Sequence, residues 1–76
     1  PQKKINIHYK NINNKIRKKI YLLSKDKSIN KNEVRNLIRL SGTEPIVRIL
    51  VEGKQKKKVQ LIAKKLENKV RSFFEE

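Results

Sequence analysis

A chain of 76 residues makes one small domain at most, with a modest core and little stability to spare. It contains no cysteine, which excludes disulfides and thiolate metal sites and fits a reducing, cytoplasmic setting. Lys+Arg number 21 against 7 Asp+Glu, a formal charge of +14, so the chain's field attracts polyanions and phosphorylated ligands.

No apolar run approaches the ~20 residues of a membrane helix, and Pro1-Gln2-Lys3-Lys4 lacks the hydrophobic stretch of a signal peptide. A membrane partner is not expected. The start at Pro1 and the absence of methionine suit a piece of a larger protein or loss of an initiator methionine equally. The lysines run along the whole chain among many Asn and Ile residues, the mixture an AT-rich genome favours. Much of the charge therefore reads as solvated surface, with a selected polyanion patch as the rival.

Lys4 to Tyr9 alternates Ile5, Ile7 and Tyr9 with Lys4, Asn6 and His8, the period of a half-buried strand. Asn11 is the expected cap of a helix running to about Ser24, with Ile12, Ile16, Ile20 and Leu23 as its apolar stripe. Lys25 to Asn32 is polar and reads as a loop. Glu33 to Leu40 supplies a second strand whose alternation is too irregular to assign its faces. Ser41 to Glu44 forms a turn in which Gly42 is free to take a positive φ. Pro45 opens a third strand over Ile46–Glu52, where its missing N–H costs least. Val47, Ile49 and Val51 face the core there, and Ile46, Arg48, Leu50 and Glu52 face away. Gly53 ends that strand. A long helix from about Gln55 to Phe74 buries Val59, Ile62, Leu66, Val70 and Phe73, with Ala63 and Phe74 widening the stripe.

The order strand, helix, strand, strand, helix predicts an α+β domain of two layers, an antiparallel sheet with helices on one face. No repeat or linker divides it, so residues 1–76 read as one unit. The free sheet face is left for a ligand or for neighbouring domains.

One constellation carries chemistry. Ser41, Gly42 and Thr43 lie between two strands, flanked by Arg39 and Arg48. Successive turn amides form an anion-binding nest, and a glycine lets the backbone approach a ligand closely. Ser41 and Thr43 add hydroxyl donors, and either guanidinium offers a bidentate charge-assisted contact to phosphate. Taken as a pattern, the same residues also describe a plain hairpin turn. Glu44 repels an anion unless its carboxylate is turned toward Arg48 or a turn amide.

Other residues carry less. His8 is alone on the polar face of a strand. Tyr9, Tyr21, Phe73 and Phe74 read as packing groups rather than base-stacking platforms. Lys56, Lys57 and Lys58 read as a solvated face. A small basic nucleic-acid-binding module is the alternative function, although no recognition-helix signature accompanies the charge.

The stretch Val34 to Gly53, with Arg39-Leu40-Ser41-Gly42-Thr43-Glu44-Pro45, Arg48 and the run ending in Glu52-Gly53, resembles the last-domain signature of the α-D-phosphohexomutases. Within that family it looks most like the bacterial phosphoglucosamine mutase branch. It departs at Leu40, where the family usually has proline, which removes no phosphate donor. The resemblance implies a TATA-box-binding-protein-like fold and a carbohydrate-metabolism isomerase of cell-wall precursor supply. It also implies that three preceding domains hold a phosphoserine, Mg²⁺ and the sugar-reading residues. Carried over by position, Arg39, Ser41, Gly42, Thr43 and Arg48 would bind the phosphate of a phosphosugar. The resemblance implies no cofactor and no catalytic residue in this domain.

Overall fold

The computed structural model describes residues 1–26 and 34–75. It contains strand β1 (Gln2–His8), helix α1 (Asn14–Lys25), strand β2 (Val34–Leu40), strand β3 (Ile46–Gly53) and helix α2 (Lys56–Glu75). The fold is α+β in the expected order.

β3 is the middle strand of one antiparallel sheet, ordered β1-β3-β2. Its sequence explains the position. Val47, Ile49 and Val51 bury one face with at most 2% exposure each, and the β-branched side chains suit a pleated surface packed on both flanks. Both helices cover that face: α2 lies over β1 and β3, and α1 lies against β2. The core joins Ile7, Ile38, Val47, Ile49 and Val51 of the sheet to Ile20 and Leu23 of α1 and to Val59, Ala63, Leu66 and Val70 of α2. Ile5, Ile16, Ile62, Phe73 and Phe74 pack around its edge.

Several boundaries differ from the sequence reading. β1 starts at Gln2 and stops at His8, because its register runs from Gln2 opposite Glu52 to His8 opposite Ile46. Tyr9 follows the strand, with its N–H donating to the Pro45 carbonyl at 3.0 Å and its ring stacked on Phe74 at 5.1 Å. Asn11 is not the helix cap. Asn13 takes that role: its backbone is extended and its Oδ1 accepts from the Ile16 N–H at 2.8 Å. Ile12 therefore packs against the core from outside the helix.

α1 runs to Lys25, where the Asp26 N–H closes on the Leu23 carbonyl at 3.2 Å. The loop expected beyond, and Glu33 at the start of the second strand, lie outside the described residues apart from Lys25 and Asp26. Gly53 ends β3 as its last residue, paired opposite Val34. α2 is shifted by one residue at each end, and the Gln55 carbonyl accepts from the Val59 N–H at 3.1 Å in its first turn.

Two side chains depart from their expected settings. Tyr21 is 60% exposed and lies under the Lys25 ammonium, 5.5 Å from the ring centre, rather than in the core. Ile46 keeps the strand parity of Arg48 but is buried, outside the main core cluster. No described helix is long and apolar enough to cross a membrane.

Candidate phosphate site

The irregular pattern of β2 resolves once its faces are known. Val34 and Ile38 are buried under the helices, while Arg35, Leu37 and Arg39 stand on the open face of the sheet. Arg48, Leu50 and Glu52 of β3 share that face, as do Lys4 and Asn6 of β1. The register sets them in rows. Asn6 pairs with Arg48, and Arg48 with Arg39 on its other side. The next row is Lys4, Leu50 and Leu37.

Two arginines directly opposite each other are unfavourable, because like charges on one face repel at short range. Glu44 relieves part of this. Its Oε1 lies 3.6 Å from Nη2 of Arg48, with both side chains about half exposed. An exposed pair of this kind contributes ~0–1 kcal/mol, so it is readily exchanged for another anion. Arg39 and Arg48 converge on the same shallow depression beside Lys4, Asn6, Leu37 and Leu50.

The turn between the strands is held by its own backbone. The Ser41 N–H donates to the Ile46 carbonyl at 2.9 Å, and the Ile46 N–H to the Glu44 carbonyl at 2.8 Å. Ser41 Oγ accepts from the Glu44 N–H at 3.2 Å and weakly from the Thr43 N–H at 3.4 Å. The serine oxygen thus caps these two turn amides itself, and an anion would reach them only by displacing it.

Gly42 does not take the left-handed conformation expected of it, and a Cβ built there meets nothing within 4 Å. The turn itself does not demand glycine. The open space over its backbone suits the close approach of a ligand.

Of the five residues expected at the site, Arg39 and Arg48 are paired across β2 and β3 and line the depression, whereas Ser41, Gly42 and Thr43 lie in the adjoining turn and do not line it. The sequence reading missed Lys4 and Asn6. Their alternation with Ile5 and Ile7 placed them on the polar face of β1, but only the register with β3 brings them beside Arg48. Glu44 does turn toward Arg48, one of the two orientations an anion site required.

The depression holds roughly 280 Å³ and is open. Pockets that enclose a small ligand span ~300–1,000 Å³, so this depression does not by itself enclose one. No group of three or more His, Asp or Glu side chains among the described residues could hold a metal ion. The described residues therefore do not fit the Mg²⁺ implied for a whole phosphohexomutase.

Comparison with known proteins identifies the family of the chain. Residues 3–69 match the family described as phosphoglucomutase/phosphomannomutase, C-terminal domain. The chain is 43% identical over 77 aligned residues to a phosphoglucosamine mutase of Prochlorococcus marinus strain MIT 9515, covering 95% of this chain and 17% of that protein. It is 50% identical over 42 residues to the phosphoglucosamine mutase of Acinetobacter baumannii, covering 55% of this chain and 9% of the relative. Over 40 residues it is 48% identical to that of Thioalkalivibrio sulfidiphilus, 53% of this chain and 9% of the relative. The chain thus spans less than a fifth of the curated relatives' length. With the family matched over most of the chain and the fold agreeing, this is a phosphohexomutase C-terminal domain, related to that of the phosphoglucosamine mutases.

Proposed function

We propose that this chain is the phosphate-binding domain of a phosphoglucosamine mutase, the isomerase that interconverts glucosamine 6-phosphate and glucosamine 1-phosphate. The observation that carries the reading is the direct cross-strand pairing of Arg39 and Arg48 on the open face, beside the Ser41-Gly42-Thr43 turn. Two cations held together at a glycine-opened turn suit a dianion, which removes their mutual repulsion and takes hydrogen bonds from both guanidinium groups.

In the whole enzyme, the phosphoryl group would pass from a phosphoserine on another domain to the free hydroxyl of the sugar phosphate. The phosphoserine would be regained from the phosphate first present. This domain would hold whichever phosphate is not reacting. Fixing that end positions the other at the phosphoserine, and the two ends must be held in turn. A grip made of charge and hydroxyl or amide donors suits this, because it takes a phosphate from either end of the sugar. Swinging the domain toward the other three would close the cleft and exclude water.

Each charge-assisted contact supplies ~1.5–3 kcal/mol, and association offsets much of the sum, so the chain alone should bind sugar phosphate with a Kd on the order of millimolar. It should turn over no substrate by itself. Titrating the ¹⁵N-labelled chain with glucosamine 6-phosphate should move the amides from Arg39 to Arg48. Movement confined to the lysine-bearing face of α2, with nucleic-acid binding that falls steeply with salt, would overturn this reading in favour of a basic nucleic-acid-binding module.

A further inference from the structure

The open face beside the arginines is not uniformly polar. Leu37 is 50% exposed and lies directly across from Leu50, which is partly buried. Lys4 completes that row, and Asn6 completes the adjoining row of Arg48 and Arg39. All six residues line one depression.

From strand spacing, the two rows are ~7 Å apart and the three strands span ~10 Å. A ligand with its phosphate at the arginines and its body along the sheet reaches the leucine pair. An apolar floor bordered by an amide and an ammonium is chemically unlike a simple anion site. It matches a molecule with a C–H face and a hydroxyl-bearing rim.

We infer that the binding wall extends off the turn onto the sheet, so that this domain holds the body of a phosphorylated sugar as well as its phosphate. The ring's C–H face rests on Leu37 and Leu50. The Asn6 amide, which both donates and accepts, meets a ring hydroxyl, and the Lys4 ammonium donates to a second. The inference rests on the phosphate reading of the turn.

The test compares inorganic phosphate with glucose 6-phosphate on the same chain, by NMR titration at matched ionic strength. The sugar phosphate should bind about threefold tighter or more, the advantage that one added hydrogen bond supplies. In Asn6→Ala, and separately in Leu37→Ala, that ratio should fall toward one. Both side chains are exposed, and a thermal melt checks that each variant is folded. A ratio of one in the unaltered chain, or a ratio that neither substitution changes, overturns the extended wall and leaves the turn intact. Binding of neither ligand overturns the phosphate reading itself, and the extended wall with it.

Discussion

If the turn binds phosphate as proposed, Arg39 and Glu44 act oppositely on the incoming anion, and substitution should separate them. Arg39→Ala removes a charge-assisted donor of ~1.5–3 kcal/mol, so phosphate affinity should fall roughly 10- to 100-fold. Isothermal titration or NMR shift changes will measure this, and a loss no larger than that of an exposed α2 lysine such as Lys64 would refute the role. Glu44→Gln releases the Arg48 guanidinium from its 3.6 Å partner and should tighten phosphate binding by up to about fivefold, the scale of an exposed ion pair. Gly42→Ala offers a cleaner separation. The added methyl meets no atom within 4 Å and the backbone does not take the left-handed conformation, so thermal stability should hold or rise by ~0.4–1 kcal/mol. Phosphate binding should nevertheless weaken, because the methyl occupies the ligand's approach. A parallel loss of stability would mean that glycine serves the fold.

Helix α1 shows how sequence pattern and local geometry part company. Its stripe was legible, but its cap was not, because Asn11, Asn13 and Asn14 offer the same chemistry within one turn. Asn13 is the one whose Oδ1 reaches the Ile16 N–H, and Ile12 is left to pack from outside the helix. Asn13→Ala should cost ~0.5–2 kcal/mol in chemical denaturation and Asn11→Ala close to nothing, the reverse of what the sequence suggested. The strands divide in the same way. β3 was readable nearly to the residue, since Val47, Ile49 and Val51 alternate with Arg48 and Leu50. β2 was not, because Leu37 sits on the open face while Asn36 takes a core-side position, so hydrophobicity there does not track the pleat. The turn and both arginines could be named from the motif. Their convergence with Lys4 and Asn6 could not, because strand register depends on long-range pairing that no local pattern encodes.

A formal charge of +14 on so small a fold strains it by self-repulsion, which salt screens from ~30 Å at 0.01 M to ~8 Å at 0.15 M. The melting temperature should therefore rise over that range of sodium chloride. Sodium phosphate at matched ionic strength should raise it further, because a ligand bound only to the native state adds RT ln(1 + [L]/Kd). Arg39→Ala should lose most of the difference between the two salts. The sheet order adds a consequence in time. β2 and β3 are joined by a short turn and can pair locally, whereas β1 meets β3 only across the whole of α1 and β2. Loop-closure entropy favours the hairpin as the earlier event, with β1 docking late. Arg39, Arg48 and the turn between them all belong to that hairpin, so the two arginines proposed to hold the anion are brought together while the chain is still folding. Phosphate should then act on the path as well as the endpoint: in stopped-flow refolding it should raise the folding rate, and not merely slow unfolding, as expected of interactions formed in the nucleus. The domain's ligand would be a template for the strand pair that holds it.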